Sequence, residues 1–424
     1  MEVISHPTSS LLSARAALVL LALALTAALP LLAPAVADAA PKRVVTLTTV
    51  DVGSPGNPSV GIVPFTDAIY ESCADAPSGK KACQSIGGVG YRYGIGRLEV
   101  TVKQWVAFLN TVDPTGRDRH DLYADTESPS AWPKYGQIAK RARAKPGRHY
   151  LVGYPQWAGK PYGFANFLRA ARFANSVDNG RVLSKSTKAV GGVKVTTRKV
   201  RLSPKTERGM YDMRRRKATR SKKTGFAIPS QDEWAKAAYY DPKGGGTFSY
   251  WKYPTNAGVF GDGSATAPSP TTLDAANGNV TNAATQPLAT FHQDMSQPGP
   301  YWCPPQVQPA SDCTSVNPFG LDPTNYAKAF AGSLSTVGQA RTLSPWGTLD
   351  QGGNVVEWTD TITPSPVGTT RGRVWRRLHG GIANAPAYQL WLSAVGLQPQ
   401  DNEFVTATYP WLGIRIAVLG NPKR

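Results

Sequence analysis

The chain has 424 residues, and its 47 Lys and Arg against 28 Asp and Glu give a formal net charge of +19. Hydrophobic residues make up 41%, enough for a real core, while 41 Gly and 35 Pro demand short, loop-rich secondary structure and exclude a helical bundle. The excess of cations predicts attraction to polyanions and says nothing of fold.

The first forty residues read as a secretory signal peptide. Arg15 precedes an apolar run from Ala16 to Ala33, interrupted by Thr26 and Pro30, and Ala35-Val36-Ala37 offers an A-x-A cleavage site. A membrane anchor is the competing reading, because the run is long. Pro30 and Pro34 fall where cleavage is expected and favour the leader. Residues 41–424 are then one exported domain, secreted or periplasmic. No later segment approaches the roughly 18 consecutive apolar residues of a spanning helix.

Residues 43–50 are β-branched and predict a strand, and 89–101 predict a second. Thr101 is placed to cap a helix over 102–112, with Val102, Trp105, Val106 and Leu109 on one stripe. A helix is expected over 163–178, where Phe164, Phe167, Leu168, Ala171 and Ala174 recur at helical spacing before Asp178-Asn179-Gly180. Ser230 followed by Glu233 is a capping box for a helix over 231–240. Residues 241–340 are rich in Gly, Pro, Asn, Ser and Thr and should be irregular. Short strands are expected at 353–358, 374–379, 390–395 and 411–418.

Residues 181–223 hold sixteen Lys and Arg against only Glu207 and Asp212. The densest point is Arg214-Arg215-Arg216-Lys217, followed by Arg220, Lys222 and Lys223. These seven are the candidate anion-binding residues. The β-branched run from Val193 to Val200 suggests a hairpin. A solvated surface insertion and a binding segment are both open readings of this stretch. A binding segment would meet an anionic polysaccharide, a lipid headgroup or an acidic protein. Specific nucleic-acid reading is not supported, because Tyr211 is the only aromatic interleaved there.

The four cysteines are Cys73, Cys83, Cys303 and Cys313, each pair ten apart in loop-like sequence. In an exported protein they read as two local disulfides, Cys73–Cys83 and Cys303–Cys313, each contributing about 2–3 kcal/mol in the chain-entropy model. Neither pair has the CxxC spacing of a metal site. The histidines, His6, His120, His149, His292 and His379, show no helical metal-pair spacing, and there is no G-x-S-x-G, HExxH or P-loop.

Four separated motifs agree in order: Tyr93-Gly94-Ile95-Gly96-Arg97-Leu98-Glu99-Val100-Thr101, Ile228-Pro229-Ser230-Gln231-Asp232-Glu233-Trp234, Gly352-Gly353-Asn354-Val355-Val356-Glu357-Trp358, and Leu378-His379-Gly380-Gly381 with a terminal Gly413-Ile414-Arg415. The series resembles the sulfatase-modifying-factor family, the formylglycine-generating enzymes and their relatives, over roughly residues 44 to 419. The resemblance implies an α+β, loop-rich fold similar to C-type lectin domains, with about three helices. It also implies calcium, with Asp350 and Glu357 as side-chain ligands and Gly353 and Val355 offering carbonyls, and a second site near Asn277.

Active members hold copper through a cysteine pair a few residues beyond the glycine pair. Here Ala385 and Leu390 fall at those positions, and no cysteine lies beyond Cys313. Copper(I) selects soft thiolates, which Ala and Leu cannot supply. Ile382 and Val356 also depart from the family pattern. His379 is expected to be a packing or hydrogen-bonding residue. The sequence therefore favours a non-catalytic binding or structural module, with no catalytic residue assigned. The alternative is a formylglycine-generating or related oxidoreductase acting on an exported protein.

Overall fold

The computed structural model describes residues 43–62, 84–124, 136–244, 249–255, 257–259, 267–274, 277–283, 287–291, 333–364, 372–383, 387–401 and 411–420. The expected leader, all four cysteines and Ala385 lie outside the described residues.

Two larger sheets and three α-helices organise the described residues, with four two-stranded sheets besides. Strand β1 (Val44–Val52), β2 (Tyr93–Gly96), β3 (Arg181–Val190), β4 (Val193–Arg201) and β5 (Gly225–Ala227) belong to the larger sheet. The smaller sheet holds β6 (Val356–Thr363), β7 (Trp375–His379), β8 (Val395–Pro399) and β9 (Leu412–Gly413), and β10 (Ala417–Leu419) returns to the larger one. The six-stranded order is β3-β4-β1-β2-β10-β5, antiparallel at every junction. The four-stranded order is β8-β7-β6-β9, with β6 and β9 parallel.

Helix α1 (Val102–Val112) begins as the sequence predicts. The Thr101 hydroxyl accepts from the Gln104 amide and the Gln104 side chain accepts from the Thr101 amide, so two orphan donors are satisfied. Its apolar stripe buries Val102, Trp105, Phe108 and Leu109. Trp105 stacks on Tyr162 with centroids 4.2 Å apart and on Phe173 of helix α2 at 5.6 Å. Helix α2 (Phe167–Asp178) starts four residues later than expected. Asn166 caps it by accepting from the Arg169 amide at 2.8 Å, which leaves Phe164 extended and paired beside β9. Helix α3 (Gln231–Tyr239) carries the Ser230–Glu233 capping box, with contacts of 2.7 and 3.1 Å.

The basic stretch forms the hairpin that its β-branched run suggests. Strands β3 and β4 form a hairpin that extends the larger sheet, and β4 pairs with β1 from Val44↔Arg201 to Val50↔Val195. Beyond the hairpin, residues 202–223 bury Leu202, Met210, Tyr211 and Ala218 in the main core. Asn175 of α2 holds this segment: its amide nitrogen donates to the carbonyls of Thr206 (2.6 Å) and Tyr211 (2.8 Å). Among the described residues, no helix is long and apolar enough to cross a membrane.

Candidate functional site

The motifs that are far apart in sequence meet in one buried knot. Glu357 stands at the start of β6 and is fully buried. Arg415 reaches it from the loop between β9 and β10. The Arg415 Nε donates to both carboxylate oxygens at 3.0 and 2.9 Å, and Nη2 donates to Oε1 at 2.7 Å. The remaining guanidinium donors meet the Gly96 carbonyl (2.9 Å) and the Leu349 carbonyl (3.0 Å). Trp234 of α3 donates its indole N–H to Glu357 Oε2 at 2.7 Å. His379 of β7, opposite Glu357 in the strand register, stacks on Trp234 with centroids 5.1 Å apart. Each motif thus contributes one part of a charge-compensated centre, the arrangement that lets a buried ion pair persist.

The glycines of the motif are demanded by close backbone approach. Gly353 has φ +88° and its amide donates to the Gly380 carbonyl at 2.6 Å. A Cβ there would lie 2.1 Å from the Thr290 carbonyl oxygen, so no other residue fits. Asn354 follows with φ +60°, and its side-chain oxygen accepts from the Ser335 amide at 3.1 Å.

The donor set assigned to calcium does not fit calcium as it is arranged here. Glu357 has both oxygens engaged by Arg415 and Trp234, so a protein cation already compensates it. Asp350 comes close: its Oδ2 accepts from the Gly338 amide, while its Oδ1 is buried without a partner. At the second position, the Asn277 side chain closes a local turn by accepting from the Asn279 amide at 2.8 Å. Beside it, a Cβ on Gly278 would lie 2.3 Å from the Lys160 ammonium. Burial lowers the pKa of Lys160 to about 7. Among the described residues, no group of three or more His, Cys, Asp or Glu is arranged to hold a metal.

Glu99 was missed by the sequence reading. It is buried, and neither of its carboxylate oxygens has a hydrogen-bond partner. Burial, and next the nearby Asp350, hold its pKa well above the usual carboxylate range. Burial likewise raises Asp350 to about 6.

Leu390, where the second thiol would stand, is fully buried in an apolar cluster with Tyr253, Ala289 and Phe291. His379, at the end of β7, is buried with both ring nitrogens unpartnered. Burial, with Arg377 as a second cause, lowers its pKa to about 3, so it is a neutral packing group at ordinary pH.

The seven cations singled out in the basic stretch divide. Arg220 is a correction: it turns inward, donating to Glu233 at 2.9 and 2.7 Å and to the Ile228 carbonyl at 2.6 Å, and pairing with Asp360. Composition could not reveal that two buried carboxylates need it. Arg214 is bidentate on Asp212 at 2.7 and 2.6 Å, Arg215 leans on the same carboxylate at 3.5 Å, and Lys222 pairs with Asp178 at 2.8 Å. Arg216, Lys217 and Lys223 are exposed.

Instead, the hairpin gathers Lys185, Lys194 and Arg198, with Arg92 of the segment entering β2, around a cavity of about 220 Å³. The alternation Lys194-x-Thr196-x-Arg198 was the sequence signal, since period two puts the three on one face of a strand.

With this geometry in hand, the family can be assigned. The chain belongs to the sulfatase-modifying-factor family: residues 88–417 match the model described as "Sulfatase-modifying factor enzyme 1-like domain". A search of curated proteins found no match. Among solved structures it is similar to CarF (14% identity, 88% of this chain and 99% of that chain covered, TM-score 0.38). It is also similar to Treponema denticola variable protein 1 (16% identity, 89% and 96% covered, TM-score 0.39). A third similar structure is PvdO from Pseudomonas aeruginosa (12% identity, 89% and 94% covered, TM-score 0.35).

Proposed function

We propose that this protein is an exported binding module on the sulfatase-modifying-factor scaffold, taking an anionic polymer and not carrying out copper-thiolate oxidation. The observation that carries the reading is Leu390: an apolar side chain, sealed among Tyr253, Ala289 and Phe291, occupies the position counted for the second thiol. Thiolate ligands are what copper(I) selects, and no cysteine follows Cys313 to replace them. The cationic hairpin supports the binding half of the reading, because its charges lie on a sheet face built into the domain. An anionic polysaccharide is the partner best matched to an exported basic surface. Anionic lipid headgroups or an acidic protein would emerge as other outcomes of a binding screen.

The test is direct. The protein is incubated with copper, oxygen and a cysteine-containing sulfatase-motif peptide, beside an active formylglycine-generating enzyme. Mass spectrometry should show the peptide cysteine unchanged by this protein and converted by the control. Conversion to formylglycine by this protein would overturn the reading and make the chain an oxidase.

A further inference from the structure

We propose that the cationic end of the β3–β4–β1 face is a binding site for a sulfate- or phosphate-type oxyanion group. The proposal names the ligand chemistry of the binding reading above and rests on it.

The strand registers assemble the site. Lys185 of β3 faces Arg198 of β4, Thr187 faces Thr196, and Thr196 in turn faces Thr49 of β1. Because side chains alternate along a strand, Lys194, Thr196 and Arg198 share one side of β4, and Thr49 and Asp51 share that side of β1. Asp51 sits opposite Gly94 of β2. Glycine keeps the floor open at that point: a Cβ on Gly94 would lie 3.3 Å from the Val418 Cβ and 3.7 Å from the Thr49 hydroxyl. The result is the cavity of about 220 Å³ described above.

Its lining is unbalanced in charge. Arg92, Lys185, Lys194 and Arg198 stand against Asp51 as the one acidic lining residue. Asp51 is engaged by Lys194 at 3.0 Å. Arg198 is the informative member. Its residue is 7% exposed, and its Nη1 donates to the Thr49 hydroxyl at 2.8 Å. Among the described residues no carboxylate forms an ion pair with it. Of the other buried arginines, Arg169 and Arg415 are matched to carboxylates, while Arg376 and Arg377 rest on backbone carbonyls and the side-chain oxygens of Gln400 and Gln84. The Arg198 Nη1 is held by Thr49, while the rest of its planar fork of donors stays available to an external oxyanion. The hydroxyls of Thr187 and Thr196 are hydrogen-bonded to each other at 3.1 Å, which leaves one O–H as a neutral donor beside it. Tyr93, the lining aromatic, is buried with its hydroxyl on the Glu233 carbonyl, so the site offers no platform for base stacking.

The experiment is a calorimetric titration of the protein with inorganic sulfate and inorganic phosphate, then with heparin oligosaccharide and inorganic polyphosphate. Three variants accompany it: Arg198→Gln, Lys185→Gln and the double variant Arg216→Gln/Lys217→Gln. Arg198→Gln should weaken binding about 10-fold or more, the loss expected for a charged hydrogen bond, and Lys185→Gln should weaken it measurably. The double variant, whose residues do not line the cavity, should bind as the parent does. Whichever polymer binds more tightly identifies the source of the group. Lys185 is exposed, so its variant decides the matter even where Arg198→Gln fails to fold. Unchanged binding in both cavity variants, with loss in the double variant, overturns this site and leaves the binding reading standing. A parent protein that binds none of the four probes overturns both.

Discussion

The Glu357–Arg415 knot and the Arg198 cavity both place an arginine out of water, and they treat its charge oppositely. In the knot, Arg415 spends its donors on Glu357 and on the carbonyls of Gly96 and Leu349. In the cavity, Arg198 meets a hydroxyl, and cations outnumber carboxylates around it. A buried charge compensated within the chain holds the fold together. Among the described residues Arg198 has no ion pair of its own, since the nearby Asp51 is held by Lys194, and its cavity leaves room for an anion from outside. The contrast separates structural from binding cations in a protein whose charge alone cannot do so.

The sharpest way to break the comparison is at the knot. Glu357→Ala leaves Arg415 buried and uncompensated and removes the acceptor of the Trp234 indole. Removing one partner of a buried pair costs about 3–5 kcal/mol, so denaturant unfolding should show a loss of that size. A loss below about 1 kcal/mol would mean that the knot tolerates an unpaired charge and that the contrast with Arg198 is false. Polyanion binding by the folded fraction should be unchanged.

Local patterns carried much of this fold in the sequence. The Thr101 cap and the Val102–Trp105–Leu109 stripe specify α1, and Ser230 with Glu233 specifies the start of α3, because both depend on residues three or four apart. The meeting of Trp234, Glu357 and Arg415 was not legible. Each sits in its own motif, and only long-range pairing of β2, β6, β9 and β10 brings them together. Arg220 was misassigned for the same reason. Its run of neighbours reads as solvated charge, while its partner Asp360 lies on β6. The hairpin was suggested by β-branched residues, but its attachment to β1 is a matter of register between segments some 150 residues apart.

A smaller effect sharpens the comparison from the side of pH. His379 stays neutral in the fold to about pH 3, whereas an unfolded histidine titrates near 6.5. Its folded pKa is depressed, so the unfolded chain takes up the proton first. Its contribution is present above pH 6.5 and is lost as pH falls toward 3. At pH 5 the loss is about 2 kcal/mol. Thermal melts between pH 7 and pH 5 should show this destabilisation, and His379→Phe, which preserves an aromatic ring against Trp234, should flatten it. An equal slope in both proteins would show that His379 is accessible to protons in the folded state.

The smallest effect is expected where the sequence draws most notice. Arg216 and Lys217 lie at the densest cationic point, yet their side chains are exposed. Surface substitutions without a specific partner change stability by no more than about 0.5 kcal/mol. Their influence on an anion in the cavity acts only through screened Coulomb forces, which fade beyond roughly 8 Å at physiological salt. Arg216→Gln/Lys217→Gln should therefore leave the melting temperature unchanged, and any loss of polyanion affinity at low salt should vanish as salt is raised to physiological strength. Arg198→Gln should keep its deficit across the same range, because a shielded guanidinium is less screened. Parallel salt curves for the two variants would mean that the protein attracts anions by total charge, and that the cavity has no special part in it.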